Sequence, residues 1–297
     1  MSLENHERGT PARKNPWPDL GPSFPEQLAT RTPAPLRHGL HEHPQLALDR
    51  IASLAESLPA GSISAESAEK PLVSGVGPVA VSVAAIGAQI RQLADNDSWF
   101  TLLNIEQDPA YAALVDEVID GMAANTGLDP RGLRRRMGFV FASSPGSVTA
   151  AHFDIEHSFL LQLSGRRTLS YGAFPDAATR EEEVRRYWNG SFGRLTAMPD
   201  HVRDIELAPG VGAYIPPYHP HWIRNGDATS LSLTVTFFNR DNADESMAQA
   251  FNERVRTMGL DPRPYGESAT RDRVKVSAMR VYGAVKRRVR PDTSAKR

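Results

Sequence analysis

A change of texture after Arg136 restricts this chain more than any other feature. From there short apolar segments at 138–142, 152–163, 168–171, 205–207, 212–215 and 230–238 follow one another, separated by turn pairs such as Pro145-Gly146 and Ser164-Gly165. Strands that short cannot bury a face alone, and their regular spacing predicts a β-barrel or sandwich. The sequence before the change is organised differently. Residues 1–30 are polar and proline-rich and read as a disordered lead-in. Residues 31–110 read as a helix and strand region packing on the barrel, with helical apolar spacing over 46–58 and a strand over 98–104. The barrel with its C-terminal helix is assigned to 111–258. A helix entered through Asp108-Pro109 leads into it, and a second helix over 244–258 places Met247, Phe251, Val255 and Met258 along one side. Residues 175–204 form a charged, less regular insert, and 259–297 a basic C-terminal segment. There is no internal repeat.

Composition narrows the functional classes. The chain of 297 residues carries a formal net charge of −1, so the molecule as a whole has no field to draw it onto nucleic acid or anionic lipid. The basic C-terminal segment is the local exception, and could form an amphipathic helix against an acidic surface or a solvated tail. No cysteine is present, which excludes disulfides, thiolate metal sites and cysteine nucleophiles and fits a reducing compartment. The opening residues lack a basic-then-apolar leader pattern, and the most apolar stretch, 79–90, is too short to cross a bilayer. A cytoplasmic, soluble protein with no membrane contact is expected.

The chemistry centres on His152-Phe153-Asp154. Residues two apart on an extended segment point to the same face, so an imidazole and a carboxylate project together. A third donor from a distant strand would complete a facial triad of two histidines and a carboxylate, the donor set of non-haem Fe(II) sites with open positions. The candidates are His219 and His221, in Pro216-Pro217-Tyr218-His219-Pro220-His221-Trp222. Alone, His-x-Asp equally describes a surface histidine beside a capping aspartate.

The flanking residues separate these readings. The block from Gly146 to Asp154, with Thr149 before the histidine, is followed by Phe159-Leu160-Leu161-Gln162-Leu163-Ser164-Gly165-Arg166-Arg167. A second block has Pro209-Gly210, then Tyr214-Ile215-Pro216-Pro217, then His221. In this order, over roughly 138–240, they resemble the JmjC-type, cupin-like Fe(II) and 2-oxoglutarate-dependent oxygenases, including the asparaginyl hydroxylase that acts on hypoxia-inducible factor. The resemblance implies a mostly β fold with flanking helices, a double-stranded β-helix (jelly-roll) barrel. It implies an oxygenase that hydroxylates a peptide, protein or small molecule, with His152, Asp154 and His221 as catalytic metal ligands. By register the family's histidine falls at His221 and leaves His219 at the rim. Thr149 and Arg167 stand where the family binds 2-oxoglutarate, although the family has Lys where Arg167 stands. Ser158, Thr236 and Val211 also depart from the hydroxylase pattern, which leaves the substrate open.

Two rival classes remain: a cupin that uses its metal without 2-oxoglutarate, and a non-catalytic binding module. His38, His41 and His43 resemble a second metal cluster, but no strand or helix period fits all three. His157 reads as a neighbour of the site rather than a ligand. Tyr187 and Trp188 could wall a substrate or plug a loop, and helix 244–258 could pack on the barrel or form a dimer face, where the resemblance favours the homodimer.

Overall fold

The computed structural model describes residues 16–67, 72–73, 84–95 and 97–289. The N-terminal part contributes α1 (Phe24–Thr30), β1 (Ala34–Arg37), α2 (Leu48–Ser57), β2 (Ile63–Ser67), α3 (Ile86–Arg91), β3 (Ser98–Leu103) and α4 (Pro109–Thr126). The strand-rich part follows as β4 (Arg134–Ser143), β5 (Val148–His152), β6 (His157–Ser164) and β7 (Arg167–Ala173). Then come α5 (Ala177–Arg186), β8 (Asp200–Leu207), β9 (Val211–Ile215), β10 (His221–Asn225) and β11 (Ser230–Phe238). The helices α6 (Arg240–Arg256) and α7 (Ala269–Val289) close the described chain.

Two antiparallel sheets face each other. One has seven strands in the order β1-β9-β6-β11-β4-β3-β2, the other four in the order β5-β10-β7-β8. From β4 to β11 the chain passes back and forth between β4-β11-β6-β9 and β5-β10-β7-β8. This is the double-stranded β-helix, with β1, β2 and β3 widening the larger sheet. The N-terminal region is therefore woven into the sheet that carries the barrel rather than only laid against it.

The alternation in β11, Ser-Leu-Ser-Leu-Thr-Val-Thr, explains how one strand serves two layers. All nine residues of β11 are buried. Leu231, Leu233, Val235 and Phe237 enter the main hydrophobic core with Val118, Ile119 and Met122 of α4. Ser230, Ser232, Thr234 and Thr236 point the other way, into the barrel, because side chains alternate along a strand. The β6–β7 turn depends on Gly165, whose φ is +71° and where a Cβ would lie 2.2 Å from the Thr229 carbonyl oxygen.

Three segments differ from their sequence reading. Residues 16–30, expected within a disordered lead-in, are packed: Trp17 is fully buried, its ring 5.0 Å from that of Phe159, and its Nε1–H donates to the Val118 carbonyl at 2.6 Å. Residues 1–15 lie outside the described residues. The insert 175–204 contains α5, capped by Asp176, which accepts from the Thr179 N–H at 2.7 Å. The third is α6, which begins at Arg240 and buries a polar face, with Asn242, Glu245, Gln249 and Asn252 all enclosed. Its carboxylate Glu245 pairs with Arg31 and Arg180, which fixes α6 to α1 and α5. The stretch 79–90 is described only from residue 84, and no helix among the described residues is long and apolar enough to cross a membrane.

Candidate metal centre

His152 ends β5 and His221 begins β10, and the two are directly opposed in the small sheet. Non-consecutive strands thus bring the imidazoles together, with ring centroids 4.2 Å apart. Asp154 lies two residues past His152, and its Oδ2 is 3.8 Å from His221 Nε2. Phe153 between them is fully buried, so the two-residue parity holds although the strand itself has ended. One donor atom from each of His152, Asp154 and His221 lies within 4.8 Å of the others, close enough to hold a metal ion. Among the described residues no other such group of three exists.

Both imidazoles are oriented in the same way. His152 Nδ1 lies 2.8 Å from the Ala150 carbonyl and His221 Nδ1 lies 2.9 Å from the His219 carbonyl. A carbonyl only accepts, so each Nδ1 carries the proton and each Nε2 keeps its lone pair for a cation. This pre-set tautomer argues that a divalent cation fits these residues. Asp154 is fixed through its backbone: its carbonyl accepts the Tyr218 N–H at 2.6 Å. Tyr218 adopts φ +58° to deliver that N–H, packs its ring 5.8 Å from Phe153, and lies beneath the Arg180 guanidinium. Beside the cluster, burial and the Asp154 charge push the Glu156 carboxyl up to about 7.

His219 stands apart. Its ring packs on Tyr171 at 5.7 Å, and burial together with the neighbouring His221 lowers it to about 4. The structure brings His221, not His219, to His152 and Asp154. Thr149 sits on β5 opposite Ile223, whereas His152 sits opposite His221. Three residues of β5 therefore span two of β10. This bulge returns Thr149 to the same side as His152, which regular alternation would forbid.

Arg167 is the most informative side chain. Arg166 is exposed and Arg167 is buried, as alternation requires. From β7 its guanidinium donates to Ser230 Oγ at 2.8 Å, Ser232 Oγ at 3.1 Å and Ser143 Oγ at 3.2 Å. No carboxylate faces it among the described residues. Burial lowers it only to about 10, so it stays charged at neutral pH. A buried cation held by neutral hydroxyls alone is incompletely compensated and suits an incoming carboxylate. The three serines were absent from the sequence reading, although the alternation of β11 was the signal for two of them.

The remaining candidates have local roles. His38 is buried and its Nδ1 accepts the Leu40 N–H at 3.2 Å, while His43 Nδ1 accepts that of Gln45 at 3.3 Å. His41 lies against Gly210. His157 bonds the Tyr214 hydroxyl at 2.8 Å and stacks on Phe237. Tyr187 and Trp188 pack in the apolar cluster built on Phe153, Tyr218 and Phe238.

Residues 134–245 match the family model described as the JmjC domain. No curated protein matches the sequence. Among solved structures, YcfD of Escherichia coli aligns with a TM-score of 0.50 at 17% identity, over 88% of this chain and 66% of that one. A second structure, of the Escherichia coli ribosomal oxygenase YcfD, gives 0.49 at 17% identity over 87% and 66%. A third, of YcfD with cobalt and 2-oxoglutarate, gives 0.48 at 18% identity over 87% and 66%. The chain spans just under two thirds of the length of these structures, and at this identity the first of them supports the fold alone.

Proposed function

From the premise that residues 134–245 match the JmjC domain, we propose that the protein is an Fe(II)- and 2-oxoglutarate-dependent oxygenase that hydroxylates a protein or peptide substrate. When bound, Fe(II) supplies the activation of oxygen, coupled to decarboxylation of 2-oxoglutarate to succinate and carbon dioxide with transfer of one oxygen atom to the substrate. The protein's part is to bind, orient and exclude water. His152 and His221 offer their Nε2 atoms because Nδ1 is committed to the backbone, and Asp154 supplies the anionic ligand. Arg167 pairs with the distal carboxylate of 2-oxoglutarate, its fork held by Ser143, Ser230 and Ser232. Thr149, on the same side of β5 as His152, adds a hydroxyl to that co-substrate. Phe153, Tyr187 and Trp188 form the dry wall on the side of Asp154.

The unpaired Arg167 within a barrel that also carries the triad carries this reading, because a metal cupin that dispenses with a dicarboxylate has no use for it. The test is anaerobic loading with Fe(II), then oxygen uptake and succinate measured with 2-oxoglutarate present. Succinate formed in step with oxygen consumption, and lost in Asp154→Ala together with bound iron, is the expected result. Iron bound without any succinate would point to the cupin that does not use 2-oxoglutarate. Failure to bind Fe(II) at all would leave a non-catalytic module.

A further inference from the structure

Outside the barrel, the ends of β4 and β11 meet α6 and α7 along a groove of about 860 Å³. Five arginines line it, Arg134, Arg135, Arg240, Arg254 and Arg280, against the single carboxylate of Asp244, a local excess of positive charge on a chain whose net charge is −1. Arg240 and Arg280 share that aspartate, at 4.0 and 2.7 Å. Arg134 is exposed and makes no ion pair among the described residues. Beside the guanidinium groups the lining includes the apolar side chains of Phe238, Met247, Met279 and Trp188. The Trp188 Nε1–H is buried without an acceptor. We infer that this groove docks an acidic segment of polypeptide carrying apolar side chains between its carboxylates.

Two observations favour polypeptide over nucleic acid. Single strands are held by stacking bases on open aromatic faces, and here the Phe238 face is taken, with Arg135 lying 5.2 Å above its ring, while Trp188 packs edge-on against Tyr187. The groove instead combines forked donors with apolar surface, which suits a segment carrying both carboxylates and aliphatic side chains. The occupant is not the chain itself. Glu4 and Glu7 are offset by Arg8, Arg13 and Lys14, Glu69 by Lys70, and residues 290–297 are basic. A second copy docked groove to groove would set this positive surface against its own like.

The groove also adjoins the metal centre. Phe238 and Trp188 belong to the apolar cluster that contains Phe153, the residue between His152 and Asp154. From α6, which also lines the groove, Asn242 Nδ2 donates to the Ile155 carbonyl at 2.8 Å. A segment held in the groove is thereby anchored beside the residue presented for hydroxylation. That last step rests on the proposed oxygenase reading; the binding itself does not.

Binding is therefore read without metal or turnover, by fluorescence anisotropy of a short labelled peptide of alternating glutamate and leucine added to the full chain. The peptide is expected to bind with an affinity that falls as salt is raised, and its lysine–leucine counterpart is expected not to bind. The surface double variant Arg134→Glu with Arg240→Glu should weaken binding roughly tenfold or more. Arg134→Ala with Arg240→Ala should do so to a smaller degree, which serves if the charge reversal disturbs folding. Equal binding by all three proteins, or none by the parent, would overturn the proposal, as would tighter binding of an oligouridylate of the same charge. Loss of turnover with peptide binding intact would count against the oxygenase reading alone.

Discussion

At the scale of single residues, the barrel interior is governed by what is left unpaired. Arg167 keeps its charge with only serine hydroxyls around it, so a bound dicarboxylate should stabilise the fold by mass action, by about 2.7 kcal/mol at a hundredfold excess over its Kd. We expect 2-oxoglutarate to raise the melting temperature of the parent but not of Arg167→Met, measured by differential scanning fluorimetry. A shift that persisted in the variant would place the dicarboxylate elsewhere. His157 gives a second prediction. Burial and the nearby Arg31 charge depress it from 6.5 to about 3, and burial likewise lowers His38 to about 4. In the unfolded chain these imidazoles take up protons below about 6.5, while the folded chain refuses them. Their contribution to stability is therefore complete above pH 6.5 and is lost as pH falls from there towards 3. Urea unfolding across that window should show falling stability, with a shallower slope in His157→Gln; an unchanged slope would exclude His157 as a source.

At the scale of elements, α6 is the joint between groove, barrel and metal centre. Asn239 caps it by accepting the Asp241 and Asn242 N–H groups at 2.9 and 3.1 Å, and the Asn242 carboxamide returns to the Asn239 N–H at 2.8 Å. Because Asn242 also bonds the Ile155 carbonyl, Asn242→Ala should lower stability by about 1–3 kcal/mol. It should also weaken metal binding about tenfold by loosening the Asp154 loop. Calorimetry with Co(II) separates the two, since a purely structural role would leave the affinity of the folded variant unchanged. These elements also show what the sequence could and could not tell. The pairing of His152 with Asp154 was legible because strand parity is a local property, and the barrel because turn pairs punctuate its strands. The polar face of α6 was not, since its value depends on Arg31 and Arg180, which are far away in sequence. Helix α5 escaped notice because its run of Ala, Arg and Glu offers only Val184 as a fully buried apolar residue. Thr149 was placed by resemblance, while its reason, a bulge against β10, is visible only once the strands are paired.

At the scale of the whole molecule, the segment before β1 acts as a staple. Trp17 and Phe24 pack on Phe159, Phe24 also on Tyr214, and Leu28 is buried in the same core, so Trp17→Ala should cost about 3–5 kcal/mol and lower the melting temperature accordingly. A loss below about 1 kcal/mol would show that this segment does not hold the core. The pairing of β5 with β10 has a consequence in time. His152 and His221 meet only after the chain between them has been threaded through β6, β7, β8 and β9, and contacts so distant in sequence form slowly. Helix signals should therefore recover first on dilution from urea, and Co(II) absorption should lag behind them. The metal centre is then a late part of the molecule to form, and a nascent chain cannot capture a cation there until β10 has paired with β5.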